Sequence, residues 1–458
     1  MSWVSQLRAA ARRGGRAVRD ASPRTILLIG FAVFVMYAFP GYMSNDSCDQ
    51  LLDARGHAFS DAHPPVMAAE WLILDAIIAG PILMLLVQGV LFLGGLHGVL
   101  RRVMAPRAAA LTAVLVLLFP PVLTTMAVIW KDSQMAAYLV AGAALLLSPR
   151  RGIRVLGLGV TALGCAFRHN AFAAAVPLIG LLFVWRPGAR WWKRYLISSA
   201  AGLLVFGGAS GLNTVLTVHH VAVVDSLALA DIAGVLNYTR DRSDDDLREV
   251  LRGVPISEQT HIQAHTRELF SPRSAMALFY GDRPVFALPQ PQHHEAIVRA
   301  WRELVFGDPR AYFAYRGTGF QELLGMSDTD LWLPVWGQFL GYPELRTLVH
   351  HNAALSEFQS AALPAMLWTA FDIALFRPYI YALLALLLLV TCCRDRLSLG
   401  LLGSGLLYEL SFFPAANTVD FRYSHWMIAC TCLATVVLFG QRWRAGRAEI
   451  AAVAPEAG

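Results

Sequence analysis

The chain has 458 residues, 56 % of them hydrophobic and only 15 % charged, with a mean hydropathy of +0.49. A soluble domain carries about a quarter charged residues, so the composition excludes an ordinary soluble protein and points to an integral membrane chain. The net charge of +6 does not signal nucleic acid, because the arginines stand in short clusters between apolar runs, the pattern that orients a polytopic protein.

A membrane-spanning helix needs about 20 mostly apolar residues. Ten candidate spans follow in order, near residues 25–43, 80–100, 108–128, 135–148, 154–168, 171–186, 196–217, 376–393, 397–414 and 424–440. Arginines precede the first, yet no small-residue cleavage site follows Tyr42, so it reads as a retained helix rather than a signal peptide. With the N-terminus in the cytoplasm, the basic clusters at Arg8 to Arg24, Arg101 to Arg107, Arg150 to Arg154, Arg186 to Arg194, Arg394 to Arg396 and Arg442 to Arg447 all fall on one side.

The opposite side then receives the acidic stretch Ser44 to Pro65, the WKDSQ turn at Trp130 to Gln134, the RHN turn at Arg168 to Asn170 and VDFRYSHW at Val419 to Trp426. It also receives one long polar segment, with helical patterns at Asp244 to Leu251 and Glu295 to Phe306. Three units result: a transmembrane module over 1–217, a small extracytoplasmic domain over 218–360 and a second transmembrane module over 361–458. The fold class is an all-α polytopic membrane protein. Two apolar segments, Pro64 to Pro81 with Glu70 and Asp75, and Leu363 to Pro378, read as helices lying along the membrane surface. The six cysteines show neither a disulfide framework nor zinc spacing.

The short outward turns carry ionisable pairs where Ser or Gly would serve: Lys131 with Asp132, Arg168 with His169, Asp420 with Arg422. Singly, such groups are membrane-edge anchors or solvated loop residues. Asp46 reads equally as a helix cap, Asp49 and Asp53 as one helix face, His63 as a turn residue, Asp132 as a counter-ion for Lys131, and Arg422 with Tyr423 as an interfacial anchor. Together they read as the rim of a common pocket, with carboxylates beside three cations. Glu409, inside the ninth span, is expected to face the bundle interior and a partner such as Arg or His.

The order of motifs SNDSCDQ, FSDAHPP, WKDS, RHN and VDFRYS, with a large late external segment, resembles the GT-C superfamily of membrane glycosyltransferases, relatives of protein O-mannosyltransferases and the aminoarabinose transferase of lipid A. The first loop has NDS where characterised members commonly have an Asp-Glu or Asp-Asp pair. The resemblance implies a GT-C-like fold and transfer of a sugar, with inversion, from a polyprenyl-phosphate carrier to a hydroxyl of an envelope glycan, lipid or protein acceptor. It implies a bacterial inner-membrane location with the site facing the periplasm. Asp46 would be the general base and Asp132 its support. Lys131, Arg168 and Arg422 would bind the carrier phosphate, and Asp49, His63 and Tyr423 would touch acceptor or sugar. No metal site is assigned, although magnesium or manganese held by Asp46 and Asp49 is the alternative way to neutralise charge. The competing readings are a lipid-linked polysaccharide ligase or polymerase, and a transporter or flippase.

Overall fold

The structure, a computed structural model, describes residues 21–257, 260–327, 330–331, 333–336, 354–391 and 395–453, the last nine by backbone alone. The N-terminal basic cluster up to Arg19, together with Cys392, Cys393 and Arg394, lies outside the described residues. Among the described residues the chain is helical, with isolated bridges and no strand. The first part contains α1 (Pro23–Ala38), α2 (Asn45–Gly56), α3 (Val66–Asp75), α4 (Ile82–Leu100), α5 (Pro106–Leu117), α6 (Pro120–Met126), α7 (Lys131–Leu146), α8 (Arg151–Ala166), α9 (Ala171–Leu182) and α10 (Trp191–Leu216). The polar segment forms α11 (Val223–Tyr238), α12 (Asp244–Val250), α13 (Ile262–Leu269), α14 (Met276–Phe279), α15 (His294–Gly307) and α16 (Pro309–Leu323). The last part contains α17 (Glu357–Phe371), α18 (Pro378–Thr391), α19 (Arg396–Ala415) and α20 (His425–Val453).

Each of the ten apolar segments contains a helix among its described residues, but fewer qualify as full spans. Four helices are long and apolar enough to cross a membrane: α4, α10, α19 and the C-terminal helix over Phe421–Arg444. The pair α5 and α6, bent by 71°, makes a fifth if taken as one span. The bend has a local cause: Pro120 and Pro121 force Phe119 into extended backbone and end α5. The 16 residues of α1, α7 and α8 reach only about 24 Å at ~1.5 Å per residue, short of the ~30 Å hydrocarbon core.

Close backbone contact holds the centre. Helix α7 packs between α4 and α8, and a Cβ added at Gly95 of α4 would stand 2.6 Å from the Ala141 nitrogen. Small residues at such contacts let membrane helices approach where no hydrophobic drive exists. Helix α9 packs on α19 and α19 on α20. Glu409 of α19 is buried, and its partner is the Ser424 hydroxyl, which donates at 2.7 Å, rather than the expected Arg or His.

A second apolar core, built from residues between Leu229 and Ala311, is separate from that of the bundle, whereas Leu323, Leu331 and Trp336 belong to the bundle core. Several ties among the described residues join the bodies, and two of them lie beside the cavity. Arg316 pairs with Asp231 at 2.5 Å and donates to the Ala416 carbonyl, and Ser274 forms a bridge with Thr418. Helix α3 is also tied down, since Glu70 accepts from the Tyr138 hydroxyl at 2.6 Å and Asp75 pairs with Arg55 at 2.8 Å.

Neighbouring glycines of α4 provide a controlled comparison, because nothing lies within 4 Å of a Cβ added at Gly94. Gly95→Ala is expected to cost ~1–3 kcal/mol through overpacking. Gly94→Ala is expected to be neutral or stabilising by up to ~1 kcal/mol. Thermal unfolding midpoints of the two detergent-solubilised variants check both; equal midpoints would contradict the close approach.

Candidate active site

The loop after α1 is fastened to the WKDS segment by main chain. After α1, Gly41 at φ +115° turns the chain into a left-handed region that favours glycine. Tyr42 then pairs with the 127–129 strand-like stretch: its N–H donates to Ala127 O at 3.0 Å and its carbonyl accepts from Ile129 N at 2.9 Å. Ser47 Oγ donates to Ile129 O at 2.7 Å, and Trp130 Nε1 donates to Ser44 Oγ at 2.8 Å. Ser44, in a reciprocal capping box with Ser47, caps α2. Asp46 is therefore not the cap. It sits in the first turn, where the helix dipole favours a carboxylate, and its side chain is 31 % exposed.

Two arginines bind the carboxylates together. Arg422 reaches Asp46 at 2.8 Å through Nη2 and Asp420 at 2.9 Å through Nε, with Asp132 at 3.9 Å, and its guanidinium lies 4.7 Å from the Trp130 ring. Arg168 donates to Asp132 and rests over Tyr423 and Phe412, which stack on each other at 4.8 Å. The Tyr423 hydroxyl meets Thr418 Oγ1 at 3.0 Å. Lys131 has a neutral type of partner, His63 Nδ1 at 2.7 Å. Among the described residues it has no carboxylate within ion-pair distance. Three carboxylates thus face three cations, and an incoming anion would find Lys131 the least committed.

The electrostatics follow from this arrangement. Burial alone would raise the Asp46 carboxyl, but Arg422, Lys131 and His63 outweigh it and hold it well below the usual carboxylate range. Lys131, with burial reinforcing it, pushes His63 down to about 3. Burial, joined by Arg168 and Arg422, lowers Lys131 to about 8 against the pull of Asp46. Burial lifts Asp420 to about 6 despite Arg422. With Lys131 donating to Nδ1, the neutral His63 ring carries its proton on Nε2 and is a donor there.

These groups line or underlie one cavity of about 650 Å³. Asp46, His63, Lys131, Arg168, Arg422 and Tyr423 are on its wall. Asp132 lies beneath, 1 % exposed and touched by the Tyr408 hydroxyl at 3.4 Å. Asp49 is not on the wall: it lies farther along α2, where burial and then Asp46 and Asp53 raise its carboxyl. Among the described residues no three His, Cys, Asp or Glu side chains are grouped to hold a metal, and the cation between Asp46 and Asp420 is a guanidinium. Sequence reasoning placed Asp420 with Arg422 on the pocket rim but gave it no role, and it passed over Trp130, whose place in WKDS was visible. Arg273, on the cavity wall from the external body, carried no signal.

Arg168→Gln is expected to destabilise the protein by ~3–5 kcal/mol by leaving Asp132 buried beside a neutral group. Adding Asp132→Asn should restore most of that loss, as read from thermal midpoints in detergent. Compared with protein-family models, curated proteins and solved structures, the chain finds no match, so its chemistry is argued from the site itself.

Proposed function

We propose that this chain is a membrane glycosyltransferase of GT-C type, with about ten membrane-embedded helices and a site on the periplasmic face of a bacterial inner membrane. It would move a sugar from a polyprenyl-phosphate carrier to an acceptor hydroxyl. The observation that carries the reading is the convergence of Asp46, Lys131, Arg168 and Arg422, from four separate turns, around one cavity at one end of the helices. A pump or flippase would instead place ionisable groups near the bilayer midplane.

In this reading the acceptor oxygen attacks the anomeric carbon as the bond to the carrier phosphate breaks, so configuration inverts. The bonding electrons leave with the phosphate, which passes from a singly charged diester to a more highly charged monoester. Lys131 meets that growing charge with support from the two arginines, the preorganised stabilisation that acts most strongly in a water-poor site. The acceptor proton goes to Asp46. A carboxylate held this acidic is a weak base toward a free alcohol. It suffices once the new C–O bond has begun to form, because the attacking oxygen is then strongly acidic. Asp132, bonded to Arg168, fixes the cation that faces the phosphate, and the Nε2 proton of His63 is available to a sugar or phosphate oxygen.

Asp46→Asn is expected to leave a folded, membrane-inserted protein whose transfer rate falls by ~10² or more, measured with a radiolabelled lipid-phosphosugar. Near-normal turnover, or a product that keeps the donor's anomeric configuration, would place the base elsewhere. The lowered Lys131 pKa gives a second expectation. Lys131 is charged below about pH 8 and neutral above it, so kcat/KM for the donor should fall about tenfold per unit as pH rises beyond that point. Lys131→Arg should abolish this fall; an unchanged profile would remove Lys131 from phosphate binding.

A further inference from the structure

Helix α16 joins the two bodies and carries its polarity reversed. It starts at the external core, to which Ala311 belongs, and ends at Leu323 in the bundle core. Past Arg310 its charged residues are Arg316 and Glu322. Both turn inward: Arg316 is 3 % exposed and paired with Asp231, and the Glu322 side chain is 12 % exposed, 3.6 Å from Arg273. The open side instead presents Phe313, 59 % exposed, with Ala314 and Gln321. Met326, just past the helix end, is 58 % exposed. A helix that faces water puts its charges outside and its aromatic rings inside. This one does the opposite.

Two contacts fix where that open side lies. Helix α19, long and apolar enough to cross a membrane, exposes Leu407 and Leu410 along one side. The same side continues through Phe413 and Pro414 at the end nearest the cavity. Phe313 stacks on Phe413 with centroids 6.3 Å apart, and Phe320 meets the same ring edge-on at 5.8 Å. Beyond α16, Leu324 O accepts from Tyr379 N at 2.9 Å in the first turn of α18, a helix whose Ile380, Leu383 and Leu387 are exposed. The helix is thus pinned across the ends of two apolar helices. Phe413 stands only ~4.5 Å beyond Leu410 along α19, so a bilayer that covers Leu407 and Leu410 reaches the Phe413 ring and the Phe313 ring stacked on it. Single apolar residues scattered on a surface are ordinary; a ring that prolongs a lipid-facing stripe is not scattered.

We propose that α16 is a membrane-interface helix, with Phe313 and Met326 entering the boundary between headgroups and acyl chains in the leaflet on the cavity side. The partner is phospholipid, met by apolar contact. Arg316 ties α16 to Asp231 of α11 and to the Ala416 carbonyl after α19, so the leaflet that seats α16 also sets the height of the external body, with its Arg273 and Met276, over the cavity. This contact requires an embedded α19 and no sugar transfer.

The test uses the full-length protein in vesicles of phosphatidylethanolamine and phosphatidylglycerol, with photo-reactive p-benzoylphenylalanine in place of Phe313, Met326, Leu410 or Asp245. Irradiation is expected to add the mass of a phospholipid to peptides carrying positions 313, 326 and 410. Position 245, in the acidic run Asp244 to Asp246 and 91 % exposed at its side chain, should show no such gain. High salt should leave the adduct at 313 unchanged, because screening weakens charge attraction and not apolar contact. A doubled chain mass from position 313 would mean that a second copy covers this face. An unmodified 313 beside a reacted 410 would mean that the face stands in water. Either result, loss of the adduct in high salt, or an equal yield at 245 would overturn the assignment, and no adduct at 410 would remove the embedded helix on which it depends.

Discussion

Arg422 is shared by two carboxylates and approached by a third, and the geometry of the cavity site depends on that sharing. Isolated burial of Asp46, Asp132 or Asp420 would each cost several kcal/mol; the guanidinium offsets these costs together while its face lies against Trp130. The arrangement also fixes directions. Nη2 points to the first loop, Nε points to its own turn, and Asp132 connects onward to Arg168. Residues from four segments become one electrostatic unit in which little can shift alone.

That unit exists only because backbone bonds bring its parts together first. The pairing of Tyr42 with the 127–129 stretch places the first loop beside WKDS, and the Ser44 and Ser47 hydroxyls complete the join. Hydroxyls were the right choice there. They cap α2 and reach across to a second segment without adding charge to a site whose charges already balance.

Much of the helical pattern was legible in the sequence, since long apolar runs read the same whether or not they cross a bilayer completely. Their lengths were less legible. Prolines at 120 and 121 bend one segment, and turns around Gly41 and Arg168 end others early, so composition alone overstated the full spans. The clustering of Asp46, Lys131, Arg168 and Arg422 was visible from topology, because turns on one side of a bundle must share one end of it. Asp46 as a cap was a fair local reading that lost to Ser44, two residues earlier, whose hydroxyl accepts from Ser47 N. Asp49 shares a face of α2 with Asp46, close enough for the two carboxylates to interact, but it stands nearly a turn farther along and does not line the cavity. The ties between Arg316 and Asp231, and between Ser274 and Thr418, link residues far apart with no motif to announce them.

The cavity wall draws on two bodies with separate apolar interiors. Asp46, Lys131 and Arg168 rise from the bundle, while Arg273 and Met276 hang from the external body, which touches the bundle at a few defined ties. Substitutions that reshape the external body therefore alter what can enter from above without disturbing the packing that positions the ionised groups below. The roof and the ionised floor of the cavity are thus held by different interiors, so the shape of one can vary without moving the other.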